Sequence, residues 1–336
     1  MSKPFLNYTI SFALGIGIAS LFSFFIFQKK DLGQYITTDT HSKSEYRYIN
    51  PLLSCETNHL EQSINIQDLN LKLEKLVKSN IEANKITNAS IYFRDLNNGP
   101  WIFTGDSEKY SPASLFKITV LLTYYRLAGE NPELLQQSIL NKLGEDSSYS
   151  ELQNIKPSQI IEPDKNYTVE ELIERMIRYS DNLAHESLVN YLDQNYPGEL
   201  NKTVETFGFV SNDSEEIPYD GDFVTPKEYS SFLRALYNSS YLSQKYSSKA
   251  LEIMTDSEYK EGLRAKVPDN IEIAHKFGER GYTNTNAKQL HDCGIIYAEN
   301  KPYILCVMTK GQDFTKQSNF IKSVSQTVYE NYILAN

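Results

Sequence analysis

Pro112-Ala-Ser114-Leu-Phe-Lys117-Ile-Thr-Val-Leu-Leu-Thr-Tyr-Tyr125 is the stretch on which the reading of this chain turns. Leu115, Phe116, Ile118, Val120, Leu121, Leu122, Tyr124, Tyr125 and Leu127 leave almost no polar stripe, so the spacing predicts a helix buried on nearly every side. A serine three residues before a lysine shares its helical face, which brings the amine within reach of the hydroxyl. The apolar company withholds water from Lys117; that disfavours the ammonium form and lowers the pKa toward one suited to taking a proton from Ser114. Ser114 follows Pro112 and Ala113 and stands at the helix N-terminus, where unpaired N–H groups stabilise a developing oxyanion. The stretch predicts acyl transfer through an activated serine.

Two further segments complete the pattern. Ser180-Asp-Asn182 follows a predicted helix that opens on the capping box Thr168-Val-Glu-Glu171 and carries Leu172, Ile173, Met176 and Ile177 on one face. Alone, Ser-Asp-Asn reads as a helix stop and a new N-cap; with Ser114 and Lys117 upstream it reads as a second wall of a site. Ser257-Glu-Tyr-Lys260 repeats the Ser-x-x-Lys spacing in a polar helical stretch that has no apolar run to desolvate its lysine. Lys276-Phe-Gly278, preceded by Ile271, Ile273 and His275, predicts the start of a strand with its lysine facing a cleft.

These three elements resemble the penicillin-recognising serine hydrolases, most closely the class A β-lactamase group, whose set is Ser-x-x-Lys, Ser-Asp-Asn and Lys-Thr-Gly. The resemblance covers about residues 70–336 and includes the Asn97-Asn-Gly99 turn and Asp222-Phe-Val-Thr-Pro226 ahead of a helix. It implies that Ser114 is the acylated nucleophile, Lys117 its base and Ser180 a proton relay to the leaving nitrogen. It further implies Asn182 as a ligand for the substrate amide and Lys276 as the anchor of a substrate carboxylate. The oxyanion hole would come from the N–H of Ser114 and one on the strand after Gly278. Two departures stand out. No Glu-x-x-Leu-Asn string lies between Gly208 and Pro226, which leaves Glu215, Glu216 and Asp220 as the carboxylates available there for deacylation. Phe277 stands where the family has a hydroxyl that contacts the substrate carboxylate, a hydrogen bond worth about 0.5–3 kcal/mol. The implied function is a Ser-Lys acyl-enzyme acting on β-lactams or peptidoglycan-like amides. The alternatives are a D,D-carboxypeptidase or penicillin-binding protein, and a non-catalytic cell-wall-binding module.

Composition and patterning frame this domain. The 336 residues carry a net charge of −10 with no basic stripe, which argues against a nucleic-acid partner. Phe5 to Phe27 is an uncharged apolar run long enough to cross a bilayer, followed by Lys29-Lys30, so residues 1–30 are expected to be a membrane anchor. Residues 31–63 read as a polar tether and 64–336 as the hydrolase domain, with a helical subdomain over about 115–225; the resemblance places the domain outside the cytoplasm. Strands at both ends and helices between them predict an α+β fold: one antiparallel sheet flanked by terminal helices, with an inserted all-helical subdomain. The predicted elements are a first helix from Leu69 to Val77, a hairpin from Ser90 to Thr104, strands at Ile271 to Phe277, Cys293 to Tyr297 and Tyr303 to Thr309, and a closing helix from Thr315 to Tyr332. A two-residue turn at Glu299-Asn300 sets Cys293 directly opposite Cys306, and two reduced core thiols are expected there. The histidines, including His185 before Glu186, lack metal spacing, and neither a metal nor a cofactor is expected.

Overall fold

Leu69, Leu73 and Val77 recur every fourth residue and form the buried face of α1 (Ile66–Glu82), the first helix of the folded body. The computed structural model describes residues 47–50, 66–97, 99–105, 108–142, 153–209, 221–282 and 284–334. The expected anchor, most of the tether, and Glu215, Glu216 and Asp220 lie outside the described residues. Among the described residues no helix is long and apolar enough to cross a membrane.

After α1 come β1 (Asn88–Asp95) and β2 (Trp101–Thr104), the expected hairpin. The last third of the chain supplies β5 (Ile273–Gly281), β6 (Lys288–Ile296) and β7 (Tyr303–Gly311). The five strands form one antiparallel sheet in the order β2-β1-β7-β6-β5, so β5 is an edge strand. The alternation of a strand gives each face its own core. Ile91, Phe93, Leu290, Leu305 and Val307 pack with α1 and the closing helix α8 (Phe314–Val328). Ala274, Cys293, Ile295, Cys306 and Met308 face the helical part on the other side.

That helical part is built around α2 (Lys117–Glu130), entered through a single tight turn at Ala113–Phe116. Ile118, Val120, Leu121, Leu122, Tyr124 and Tyr125 are all buried, as a helix apolar on every side requires. Between α2 and the next helix, β3 (Ser138–Leu140) and β4 (Asn166–Thr168) pair antiparallel. This corrects the expectation of an all-helical insert, because three-residue strands are too short to show a period of two. α3 (Val169–Arg178) opens on the predicted capping box, and α4 (Asn182–Asn195) and α5 (Glu199–Thr206) follow. α6 (Pro226–Tyr237) starts on a second capping box, Thr225 with Glu228, and α7 (Gln244–Thr255) leads back to the sheet. The Ser257-to-Lys260 segment is not helical as expected: Ser257 is buried and Lys260 Nζ donates to its carbonyl oxygen at 2.6 Å.

Residues 47–50, inside the stretch read as a tether, lie on this domain. Tyr48 and Ile49 are buried, Tyr48 meets Tyr297 edge-on, and Asn50 N–H donates to the Tyr237 carbonyl at 2.6 Å.

The β6–β7 register pairs Cys293 with Cys306, and the two form a disulfide. The expectation of reduced thiols is therefore corrected: direct opposition in adjacent strands holds the two Cβ atoms within bonding reach. Cys293 is also the register partner of Lys276 on β5, so the bridge lies on the same face of the sheet as Lys276, one strand further in. Titration of unfolded, non-reduced protein is expected to find one thiol, Cys55, among the three cysteines. Reduction is expected to lower unfolding stability by roughly 2–4 kcal/mol, since a short loop is released in the unfolded chain.

Candidate active site

Ala113 precedes Ser114 with φ 47°, a left-handed conformation unusual for a side chain with a Cβ. That kink starts the turn on which Ser114 sits, half-buried, one helical turn before Lys117. Lys117 is 3% exposed; its Nζ donates to the Ser180 carbonyl at 2.6 Å, to Asn182 Oδ1 at 2.6 Å and to Ser180 Oγ at 3.3 Å. Burial brings its pKa down to about 7, partly opposed by the charges of Asp181 and Glu279.

Ser180 lies between α3 and α4 at φ 59°, and Asp181 caps α4 by accepting from the N–H groups of Leu183 and Ala184. Ser-Asp-Asn is thus a helix stop, an N-cap and a wall of the site together: the cap fixes the backbone that points Ser180 and Asn182 at Lys117. From the sheet side, Lys276 Nζ donates to Ser180 Oγ at 2.9 Å and to the Phe277 carbonyl at 3.0 Å. Ser180 and Lys276 are fully buried. Burial and the Lys117 charge hold the Lys276 amine well below the usual lysine range. The Ser180 hydroxyl is therefore shared by two buried lysine amines.

Gly278 brings the strand to the nucleophile. A Cβ there would lie 2.7 Å from the Pro112 carbonyl oxygen and 3.0 Å from the Leu115 nitrogen, so only glycine allows this approach. The expected Ser114, Lys117, Ser180, Asn182, Lys276 and Gly278 thus converge on one cleft between α2, α4 and β5. Phe277 leaves β5 on the opposite face and stacks on Tyr259 with ring centroids 4.2 Å apart. With Tyr259, Leu290 and Phe314 it lines a cavity of about 510 Å³.

Several groups of this site were not foreseen. Residues 153–161 form a strap across the cleft. Gln153 Nε2 donates to the Ser180 carbonyl at 3.2 Å and Ile161 N–H to Asp181 Oδ2 at 2.9 Å, on the helical side. On the sheet side, Ile155 N–H donates to Glu279 Oε1 at 2.5 Å and Ser158 N–H to Glu258 Oε1 at 3.0 Å. Isolated polar residues in an aperiodic segment carry no local signal of such ties. Glu279→Ala is expected to speed amide hydrogen exchange over residues 153–158 by about tenfold or more, the loss of one charge-assisted hydrogen bond. Glu279→Gln retains an acceptor oxygen and is expected to keep most of the protection. Glu186, one turn after Asn182 on α4, carries a buried Oε2 with no hydrogen-bond partner, and burial raises its carboxyl pKa. His185 beside it is pushed down to about 3 by burial and the Lys117 charge, so it is neutral. Among the described residues no three His, Cys, Asp or Glu side chains converge as a metal site would require.

Known proteins share this fold. A point mutant of a protein called PBP-A, solved as an acyl-enzyme complex with penicillin G, superposes with a TM-score of 0.64 at 22% identity, over 80% of this chain and 97% of that one. Beta-lactamase 3 of Bacillus cereus is 25% identical over 218 residues, 60% of this chain and 67% of the relative. The beta-lactamase of Bacillus licheniformis is 29% identical over 189 residues, 52% of this chain and 59% of the relative. The model of the beta-lactamase enzyme family matches residues 72–332, most of the chain, and the chain belongs to that family of penicillin-recognising serine hydrolases.

Proposed function

We propose that this protein forms an acyl-enzyme on Ser114 with β-lactams or peptidoglycan-like amides, as an extracytoplasmic domain held to the membrane by residues 5–27. The observation that carries the chemistry is Lys117: a buried amine with a pKa of about 7, one turn from Ser114 and bonded to both Ser180 and Asn182. In its neutral form it takes the Ser114 proton as Oγ attacks the carbonyl carbon. The N–H groups at the start of the helical turn and on β5 after Gly278 receive the oxyanion. The leaving nitrogen takes a proton through Ser180, whose hydroxyl is hydrogen-bonded by Lys276 and Lys117. Asn182 holds the substrate amide and Lys276 supplies positive charge to the wall. The membrane placement rests on the 23-residue uncharged run at 5–27 and on the family resemblance.

Two assays of the purified protein separate the substrates: consumption of a chromogenic cephalosporin, and release of D-alanine from a peptide ending in D-Ala-D-Ala. The β-lactamase reading expects the first and the D,D-carboxypeptidase reading the second, both abolished in Ser114→Ala. Activity retained in that variant would exclude Ser114 as the nucleophile.

A further inference from the structure

We infer that Phe277 is a positioning residue for acylation: its ring holds the Lys276 ammonium where that group donates to Ser180. The inference rests on the acyl-enzyme reading above, in which Ser180 passes the proton, and it gives a role to the side chain that stands where the family has a hydroxyl.

Lys276 and Phe277 leave β5 on opposite faces, yet the end of one meets the ring of the other. β5 pairs with β6 on one side and with no strand on the other. Lys276 Nζ donates to the Phe277 carbonyl at 3.0 Å and lies 4.3 Å from the centroid of the Phe277 ring, while it also donates to Ser180 Oγ at 2.9 Å. The electron-rich face of a ring attracts a cation, most strongly where water is excluded. Both partners meet that condition, since Lys276 is fully buried and Phe277 is 3% exposed. Tyr259 stacks on the same ring with centroids 4.2 Å apart, which fixes its plane.

The anions nearby are engaged elsewhere. Asp292 of β6, Glu258 of the loop after α7 and Glu279 of β5 are the carboxylates whose charge reaches the Lys276 amine, and Lys117 of α2 is the cation that opposes it. Asp292 is held by the His275 ring and by Leu263 N–H, both at 2.8 Å. Glu258 accepts from the N–H and hydroxyl of Ser158, and Glu279 from Ile155 N–H. The hydrogen bonds of the Lys276 amine thus go to two neutral oxygens, and the remaining contact is the ring. Tyr259 adds no charge, because burial raises the pKa of its hydroxyl. Burial opposes the ammonium form of Lys276, and the ring offsets part of that cost.

The test follows Lys276 directly, by its ¹³Cε resonance in lysine-labelled protein over a pH series, assigned by loss of the signal in Lys276→Met. Phe277→Leu keeps an apolar side chain and removes the ring; the titration midpoint of Lys276 is expected to fall by about one pH unit, the scale of a desolvated cation–ring contact. Phe277→Tyr keeps the ring, and its hydroxyl can enter the cavity beside Tyr259 and Phe314; the midpoint is expected to stay close to wild type. At the wild-type midpoint, the limiting single-turnover acylation rate with benzylpenicillin is expected to fall about fivefold in Phe277→Leu and to be retained in Phe277→Tyr. Thermal melting verifies that both variants fold, and Phe277→Met replaces Phe277→Leu if that variant does not. A midpoint unmoved in the aliphatic variants, one moved equally in Phe277→Tyr, or a Lys276 amine already neutral in the wild type at about pH 5 overturns the inference. Absence of a Ser114 adduct overturns the acyl-enzyme reading instead, since the titration needs no substrate.

Discussion

Lys117→Ala is expected to slow acylation of Ser114 by roughly 10²–10⁴-fold, the range for loss of a positioned general base. The side chain is buried and donates to three groups of the Ser180-to-Asn182 wall, so no water can take its place with the same orientation. The neutral amine is the base, so wild-type acylation is expected to rise with pH through about 7 and level off above it. That inflection should vanish in the variant. The same shift sets the sign of a stability effect. Between about 7 and the ordinary lysine value of 10.5, the unfolded chain binds a proton that the folded chain has released. Stability attributable to this group therefore rises with pH across that window. Lys117→Met, which fills the volume without the charge, is expected to flatten the rise in urea unfolding measured at pH 7 and pH 9.

Ser180→Ala is expected to cost roughly 10²–10³-fold in acylation with little change in substrate binding, because a proton relay acts in the transition state. Its hydroxyl accepts from Lys276 at 2.9 Å and from Lys117 at 3.3 Å. Removing it leaves two buried amines facing one another without the group that both address. Single-turnover rates with benzylpenicillin, taken across a concentration series, separate the limiting rate from binding. A loss confined to binding would argue against the relay.

The parts legible in the sequence were those with a local physical signature. The apolar company of Lys117 predicted its burial, and the capping box at Thr168 predicted the start of α3. The cysteine register followed from counting outward from Asn300, which adopts φ 58° in the turn between β6 and β7. What stayed hidden was made by contacts distant in sequence. Glu279 is 124 residues from Ile155, and neither has a neighbour that announces the pairing. Strand register predicts that Cys293 and Cys306 are adjacent but not that they are oxidised, since register speaks to proximity alone. Tyr48 and Ile49 lie in a polar stretch with no periodicity, yet both are buried, and Tyr48 meets Tyr297 edge-on. The second Ser-x-x-Lys, Ser257 to Lys260, lacks an apolar run. The structure adds that Lys260 bonds the backbone of Ser257 and that its segment is not a helix.

Ser114 as nucleophile underlies every catalytic role assigned to Lys117, Ser180 and Lys276. Intact mass followed by peptide mapping after addition of benzylpenicillin tests it most directly. The predicted result is one adduct carrying the whole mass of the antibiotic, located on the peptide that contains Ser114 and absent from Ser114→Ala. An adduct on another residue, or one that persists in Ser114→Ala, would contradict it.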